Sequence, residues 1–287
     1  MNPKKLRHSV SVIIPTYKLD SFQKLNFFWE LINSIKLSSD SSSTFCIKEV
    51  IIVNDSPGSS PSRSLLKQLD QIQGLIDVKF LENEKNRGQA FSRNNGARNA
   101  TGTYFHFIDQ DDKVGYEFYN EFGRLCEGDV DFYMSDCVML DKPDRSFYKQ
   151  HTKRLIQSGS SLNRLKALFI NNVCNSPGQM LIRNDFFWSV GGFPDLKNRG
   201  SDDFAFFLKL LGIPHRYIFV ENAKFFYRTH TEQASKLLNM RASAVEAFQC
   251  LDSSESANVR IIKHIKLLWV FFPLRLVFYK SMFNTFR

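Results

Sequence analysis

The stretch from Thr103 to Lys113, Thr-Tyr-Phe-His-Phe-Ile-Asp-Gln-Asp-Asp-Lys, constrains the fold more than any other part of the chain. Tyr104 to Ile108 is an apolar, aromatic and β-branched run of the kind that forms a buried strand. It stops abruptly at three carboxylates, Asp109, Asp111 and Asp112. Like charges this close raise one another's pKa unless a cation sits among them. Oxygen-only ligands suit Mg²⁺ or Mn²⁺, which bind through one or two carboxylates while a substrate's phosphates complete the shell. Taken alone, the triplet fits equally well a polar loop whose aspartates cap a helix starting near Tyr116.

The preceding chain alternates strands and helices. Ser9 to Tyr17 reads as a first strand whose end is marked by Pro15, and residues 22–37 carry apolar side chains at helical spacing. A serine-rich turn leads to a second buried strand, Glu49 to Val53, which ends at Asn54-Asp55-Ser56-Pro57-Gly58. Further along, residues 65–72 predict a helix, 78–81 a strand and 90–100 a helix closed by Gly102. Such alternation, with strands apolar throughout, indicates a mostly parallel sheet covered by helices on both faces. Ligands of these sheets bind beyond the carboxyl ends of the strands, where Asp55 and the Asp109 to Asp112 cluster fall.

The later chain is less regular. Strands are expected over 130–140, 180–182 and 216–228, and helices over 162–170, 204–211 and about 232–251. Asp202 and Asp203 head the 204–211 helix, where the macrodipole favours carboxylates whatever their function. After Glu255 there is no acidic residue, while Arg260, Lys263, Lys266, Arg275, Lys280 and Arg287 are basic. The apolar run inside this tail is too short to span a bilayer. A basic aromatic helix pair lying on an anionic membrane fits the pattern, as does a helix docked on protein.

Composition narrows the setting. The net charge of +9 suits an anionic partner without choosing one, and the five widely spaced cysteines point to reduced thiols and not to a disulfide framework or zinc site. The N-terminal apolar run is too short for a signal-peptide core, so a cytoplasmic protein is expected.

In order along the chain, Pro15-Thr16-Tyr17, Asn54-Asp55-Ser56, Asn86-x-Gly88, Arg93-Asn94-x-Gly96-Ala97, Asp109-Gln110-Asp111-Asp112, Gly191-Gly192-Phe193, Asp202-Asp203 and Tyr227-Arg228-x-His230 resemble the motifs of family 2 glycosyltransferases. The resemblance covers about residues 9–235. It implies a GT-A α/β fold, a mostly parallel sheet flanked by helices, in a glycosyltransferase domain over 1–235 with a nucleotide-sugar half (9–112) and an acceptor half (113–235). Beyond it, the residues themselves predict a C-terminal helical extension over 236–287 that is basic and suited to a membrane surface. The resemblance further covers the reaction. It implies a metal-dependent, inverting transfer with Mn²⁺ or Mg²⁺. Carried over by position, Pro15, Thr16 and Tyr17 line the nucleoside, Asp55 accepts from the base, and Arg93 approaches the nucleotide or its diphosphate. Asp111 is the expected metal ligand with Asp109 beside it, Arg228 and His230 steady the diphosphate, and Asp203, with Asp202 as the other candidate, is the base. The implied donor is a UDP-sugar, with dTDP- and GDP-sugars also open, and the acceptor a glycan or lipid-linked glycan at the inner face of a membrane. Two departures stand out: Asn54 where a second acidic residue is common, and Asp202 where Glu is usual.

Competing readings are a nucleotidyltransferase that makes nucleotide sugars and a non-catalytic basic binding module. The first calls for a Gly-rich loop after strand one, and Pro15-Thr16-Tyr17-Lys18-Leu19 contains no Gly. No nucleic-acid-binding module is recognisable, so nucleic acid is not expected as a partner.

Overall fold

The computed structural model describes residues 8–19, 21–41, 44–58, 69, 76–126, 128, 130–140, 142–147, 174–231, 233 and 239–250. The helices expected over 65–72 (apart from Leu69) and 162–170, and the basic tail beyond 250, lie outside these residues.

Among the described residues nine strands form one sheet. In chain order the elements are β1 (His8–Thr16), α1 (Phe22–Ser41), β2 (Phe45–Asn54), β3 (Asp77–Glu82), α2 (Gln89–Arg98), β4 (Tyr104–Phe107), β5 (Lys113–Val114), α3 (Phe118–Arg124), β6 (Phe132–Met139) and β7 (Lys142–Phe147). A 3-10 turn (Pro177–Gln179), β8 (Met180–Arg183), α4 (Asn184–Ser189), α5 (Asp202–Leu210), β9 (Tyr217–Tyr227) and α6 (Met240–Gln249) follow. The sheet order is β3-β2-β1-β4-β8-β6-β9-β5, with β7 paired to β6. As expected, the first four strands are parallel neighbours. Antiparallel pairing enters only with the later strands: β8 runs against β4 and β6, and β5 against β9.

Side chains of a strand point alternately to opposite faces, and here both faces are covered. Ile13, Ile51, Val53, Phe105 and Phe107 enter a core beneath α2, α4, α5 and α6. Val12, Ile14, Val50, Ile52, Tyr104 and Ile108 enter the other, with α1 and α3. Many of the chain's 28 phenylalanines enter these two layers. Phe107, Phe187, Phe193 and Phe206 form one cluster of tilted and edge-on rings with centroids 4.6 to 5.6 Å apart. Gly96 lets α2 lie close on the sheet, since a Cβ there would stand 2.4 Å from Ile13 Cγ2.

Pro15 does not end β1 as expected: the strand runs one residue further, Pro15 pairing with Val53 and Thr16 with Asn54. The ladder to β4 already stops at Ile13, so the proline's missing N–H costs no bond on that side. Of the helical stretch expected over about 232–251, α6 covers Met240–Gln249, where the Asn239 side chain caps it by accepting from the Ala242 N–H; residues 232 and 234–238 lie outside the described residues. Three elements had no expectation: the two-residue β5, β7, with Pro143 and charged residues, and the single-turn helix α4.

At the amino end of the sheet Glu49 is 1% exposed. It accepts from the Ser11 hydroxyl (2.6 Å), the Thr101 N–H (2.6 Å) and hydroxyl (2.8 Å), and the Lys79 ammonium. Burial would raise its pKa, but the Lys79, Ser11 and Thr101 donors overcome that and hold it at about 2. A depressed carboxyl pKa stabilises the fold above the unfolded value near 4.5, and that contribution is lost as pH falls from there toward about 2. Glu49→Ala should therefore cost roughly 2–4 kcal/mol at pH 7, read as a lower urea midpoint at unchanged slope. An unaltered midpoint would show that the network is dispensable.

Candidate active site

Because β1, β2 and β4 are parallel neighbours, the polar residues that follow them gather at one edge of the sheet. Gln110, between the aspartates, ties two of these ends together. Its side chain accepts from the Tyr17 N–H (2.8 Å) and donates to the Tyr17 carbonyl (3.2 Å). Pro15 and Thr16 are buried, and of the three residues expected against the nucleoside Tyr17 lines the adjoining cleft. That cleft has a volume of about 310 Å³, and Asp55, Arg87, Gly88, Arg199 and Asp202 contribute to its walls.

Asp55, 5% exposed, is already well bound. Its Oδ1 accepts from Asn83 Nδ2 (2.8 Å) and the Arg87 N–H (2.7 Å), and its Oδ2 from the Gly88 N–H (2.7 Å). Gly88 adopts φ +88°, a left-handed conformation that glycine takes without strain, and this turns two successive N–H groups onto one carboxylate.

The carboxylate loop is held on both flanks. It leaves β4 and enters β5, and β5 pairs with the end of β9, so the residues after β9 run alongside. The Arg228 N–H donates to Asp112 Oδ1 (2.9 Å), and Arg228 Nε donates to the Asp111 carbonyl (2.8 Å). His230 Nε2 lies 2.7 Å from Asp111 Oδ2. The Arg228 guanidinium sits 4.1 Å from the Phe27 ring centroid and 2.6 Å from Glu30 Oε2, so α1 fixes it from the far side. Behind the loop, His106 is fully buried between the Tyr119 hydroxyl and the Gly178 carbonyl, each 2.8 Å away. A carbonyl only accepts, so Nε2 carries the proton and Nδ1 accepts from Tyr119. Burial, opposed only by the Gly178 bond, lowers this histidine to about 4 and keeps it neutral.

Arg93, expected near the nucleotide or its diphosphate, is buried and joins Asp109 to Asp202, which lines the cleft. It is 2% exposed, with Nη2 2.6 Å from Asp109 Oδ1 and Nη1 2.8 Å from Asp202 Oδ2. Burial works against its charge, but Asp109, Asp202 and Asp203 more than compensate and raise its pKa. One guanidinium fork thus joins the carboxylate loop after β4 to the start of α5.

The two adjacent carboxylates of α5 differ accordingly. Asp202 is 5% exposed and occupied by Arg93. Asp203 is half-buried, its Oδ1 accepting only from the Phe204 N–H (2.6 Å) among the described contacts. Burial first, and then the neighbouring Asp202 charge, push the Asp203 carboxyl up to about 7. A carboxylate poised near neutrality can take up and release a proton at working pH.

The loop's own carboxylates are strained electrostatically. Burial raises Asp109, with Asp111 and Asp202 adding to the shift against Arg93. Burial, Asp111 and Asp109 raise Asp112 well above the ordinary range, and its Oδ2 is buried without a hydrogen-bond partner. A cation relieves such repulsion. Among the described residues, no group of three or more His, Cys, Asp or Glu side chains is arranged to hold a metal. An ion that takes one or two carboxylates and completes its shell from a ligand's phosphates needs no such group, and the crowded Asp109 and Asp111 carboxylates have the oxygen-only chemistry such an ion takes.

Sequence reading had no signal for Glu30, Gln110 as a tie, or Arg199. Glu30 and Arg199 are exposed charged residues whose partners lie 198 and 113 positions away along the chain.

Residues 11–191 match Glycosyl transferase family 2. The chain is 28% identical over 231 residues to an uncharacterized glycosyltransferase of Haemophilus influenzae, covering 79% of this chain and 70% of that protein. Among solved structures it is similar to S. aureus TarS 1-349 in complex with UDP-GlcNAc (TM-score 0.66, 19% identity, 91% of this chain and 71% of that one). It is also similar to the mannosyltransferase PcManGT from Pyrobaculum calidifontis in complex with GDP-Man and Mn²⁺ (TM-score 0.60, 19% identity, 91% and 69%). The shared architecture is the GT-A α/β sheet flanked by helices. With a family match across more than half its length, the chain belongs to glycosyl transferase family 2 and is a glycosyltransferase.

Proposed function

We propose that this glycosyltransferase moves a sugar from a nucleoside diphosphate donor to an acceptor hydroxyl with inversion, and that Asp203 is the base. The carrying observation is the contrast between neighbours: Asp202 is engaged by the buried Arg93, while Asp203 is half-buried and pushed to about 7. The acceptor hydroxyl gives its proton to the Asp203 carboxylate and its oxygen attacks the anomeric carbon. The bond from that carbon to the diphosphate oxygen breaks, and the electron pair leaves with the nucleoside diphosphate. A single attack opposite the leaving group inverts the centre, so one base is enough. Arg228, beside Asp111, supplies positive charge for the departing diphosphate, and His230 steadies it from the same side. Asp111, with Asp109 alongside, would hold Mn²⁺ or Mg²⁺, which when bound would supply Lewis-acid stabilisation of the same charge.

Support for the donor class comes from relatives of the same fold, one bound to UDP-GlcNAc and one to GDP-Man with Mn²⁺. In the cleft, Tyr17 lies against the nucleoside, with Pro15 and Thr16 shaping the strand end behind it, and Asp55 accepts from the base. A carboxylate has about four lone-pair sites, and three at Asp55 are occupied, leaving one on Oδ2. Uracil and thymine offer a single ring N–H, whereas guanine offers two adjacent donors. This favours UDP- or dTDP-sugars over GDP-sugars. The acceptor is a lipid-linked or surface glycan precursor at the cytoplasmic face of a membrane, reached through the tail beyond Glu255, which is basic and free of acidic residues. Among the described residues no helix is long and apolar enough to cross a membrane.

A thermal-shift series with UDP, dTDP and GDP, each with and without Mn²⁺, tests the reading. Ligand at 100 times its Kd stabilises by about 2.7 kcal/mol, so UDP with Mn²⁺ should raise the melting temperature by several degrees. If no nucleoside diphosphate shifts the transition under either condition, the proposal fails.

A further inference from the structure

We infer that Arg199 is a positioning residue that clamps the turn Asn86 to Gly88, and through it Asp55, in the form that receives the nucleotide. The inference rests on the reading of the cleft as the nucleotide site. Arg199 sits on the segment between Phe193 and α5, four residues before Asp203, yet its guanidinium reaches across the cleft. Its Nη1 donates to Asn86 Oδ1 and its Nη2 to the Asn86 carbonyl (3.1 Å). The side chain lies directly over Gly88: a Cβ there would meet Arg199 Nε at 2.7 Å and Cδ at 2.9 Å. A second tie spans the same gap in the opposite sense, from Arg87 Nη2 to Asp195 Oδ2 at 4.0 Å.

Both ends of this arrangement are built in. The Arg199 segment is anchored where Leu196 enters the core, where the Asn198 N–H and side-chain amide donate to Glu246 of α6 (2.9 and 2.6 Å), and where the Ser201 N–H donates to Ser243 (2.8 Å). The turn, by contrast, is exposed at Asn86, half-buried at Arg87 and buried at Gly88. Its inner face is gripped by Asp55 through the Arg87 and Gly88 N–H groups, and its outer face by the Arg199 fork. Without the fork, the two N–H groups are free to leave Asp55, and the carboxylate loses the geometry that the nucleotide needs. A bidentate guanidinium fixes direction as well as distance, which a lysine ammonium does not.

The test is isothermal titration of UDP in the presence of Mn²⁺ with wild type, Arg199→Ala, Arg199→Lys, Asn86→Ala and the Arg199→Ala/Asn86→Ala double variant, alongside donor KM and kcat. Arg199→Ala should weaken UDP binding and raise donor KM about 5- to 20-fold with kcat within about twofold. Lys should restore only a minor part, and the double variant should be no worse than either single one, as expected for two residues acting as one unit. Melting temperatures should stay within about 2 °C of wild type, since surface contacts contribute little to stability. If Arg199→Ala binds UDP as wild type does, or the two losses simply add, the clamp is wrong while the nucleotide site stands. Wild type that binds no nucleoside diphosphate removes the site and the clamp together.

Discussion

Asp203→Asn is expected to lower the rate of sugar transfer by about 10²- to 10⁴-fold while nucleotide binding stays within about twofold of wild type. The substitution keeps the size of the side chain and its bond to the Phe204 N–H but removes the basic lone pair. The pH profile follows from the environment of the wild-type group. Burial and Asp202 raise its pKa to about 7, against the opposing Arg93 charge. A base must be unprotonated to act, so kcat/KM should fall about tenfold for each pH unit below 7 and level off above it. Asp202→Asn supplies the contrast. It removes the neighbouring negative charge, so it should move the acid limb to lower pH without abolishing turnover. Transfer that survives Asp203→Asn but dies with Asp202→Asn would reverse the assignment.

Arg93→Met should destabilise the fold by about 3–5 kcal/mol at pH 7, because it keeps roughly the side-chain volume but strands Asp109 and Asp202 without their shared cation. The loss should show as a lower urea midpoint and shrink as pH falls, since orphaned carboxylates escape their penalty by taking protons. Arg93→Lys should recover only part, because one ammonium cannot span two carboxylates in fixed directions. Wild-type stability in Arg93→Met, measured at pH 7, would mean that the buried charges are satisfied some other way.

The parallel part of the sheet was legible because β1, β2 and β4 are covered on both faces, which writes them into the sequence as unbroken apolar runs with polar stops. The carboxylate loop, Asp55 and the Asp202-Asp203 pair were legible for the same reason: they sit at those stops or at a helix start. Arg93 was visible as a residue, but its buried pairing with Asp109 and Asp202 was not. The buried face of α2 is Ala90, Ser92, Arg93, Gly96 and Ala97, small or polar side chains that carry no apolar periodicity to reveal which way the helix faces. The two-residue β5 and the charged, proline-bearing β7 have too little pattern to register, and they form because longer partners, β9 and β6, are already in place. Arg199 and Glu30 are surface charges whose meaning depends on a partner far away in the chain, and a single sequence holds no record of such pairings.

The position of β4 bears on how the protein is made. Its four residues are buried on both faces, one edge paired with β1 and the other with β8. Phe107 ends β4 and Met180 opens β8, so at about 5–20 residues per second a ribosome delivers the second partner roughly 4–15 s after the first strand is complete. Throughout that interval an aromatic strand has an uncapped row of backbone donors and acceptors, which is the surface that recruits strands from other chains. The nascent chain thus passes through a window of dependence on chaperone cover, and arrested or truncated chains that lack β8 are the species most prone to aggregate.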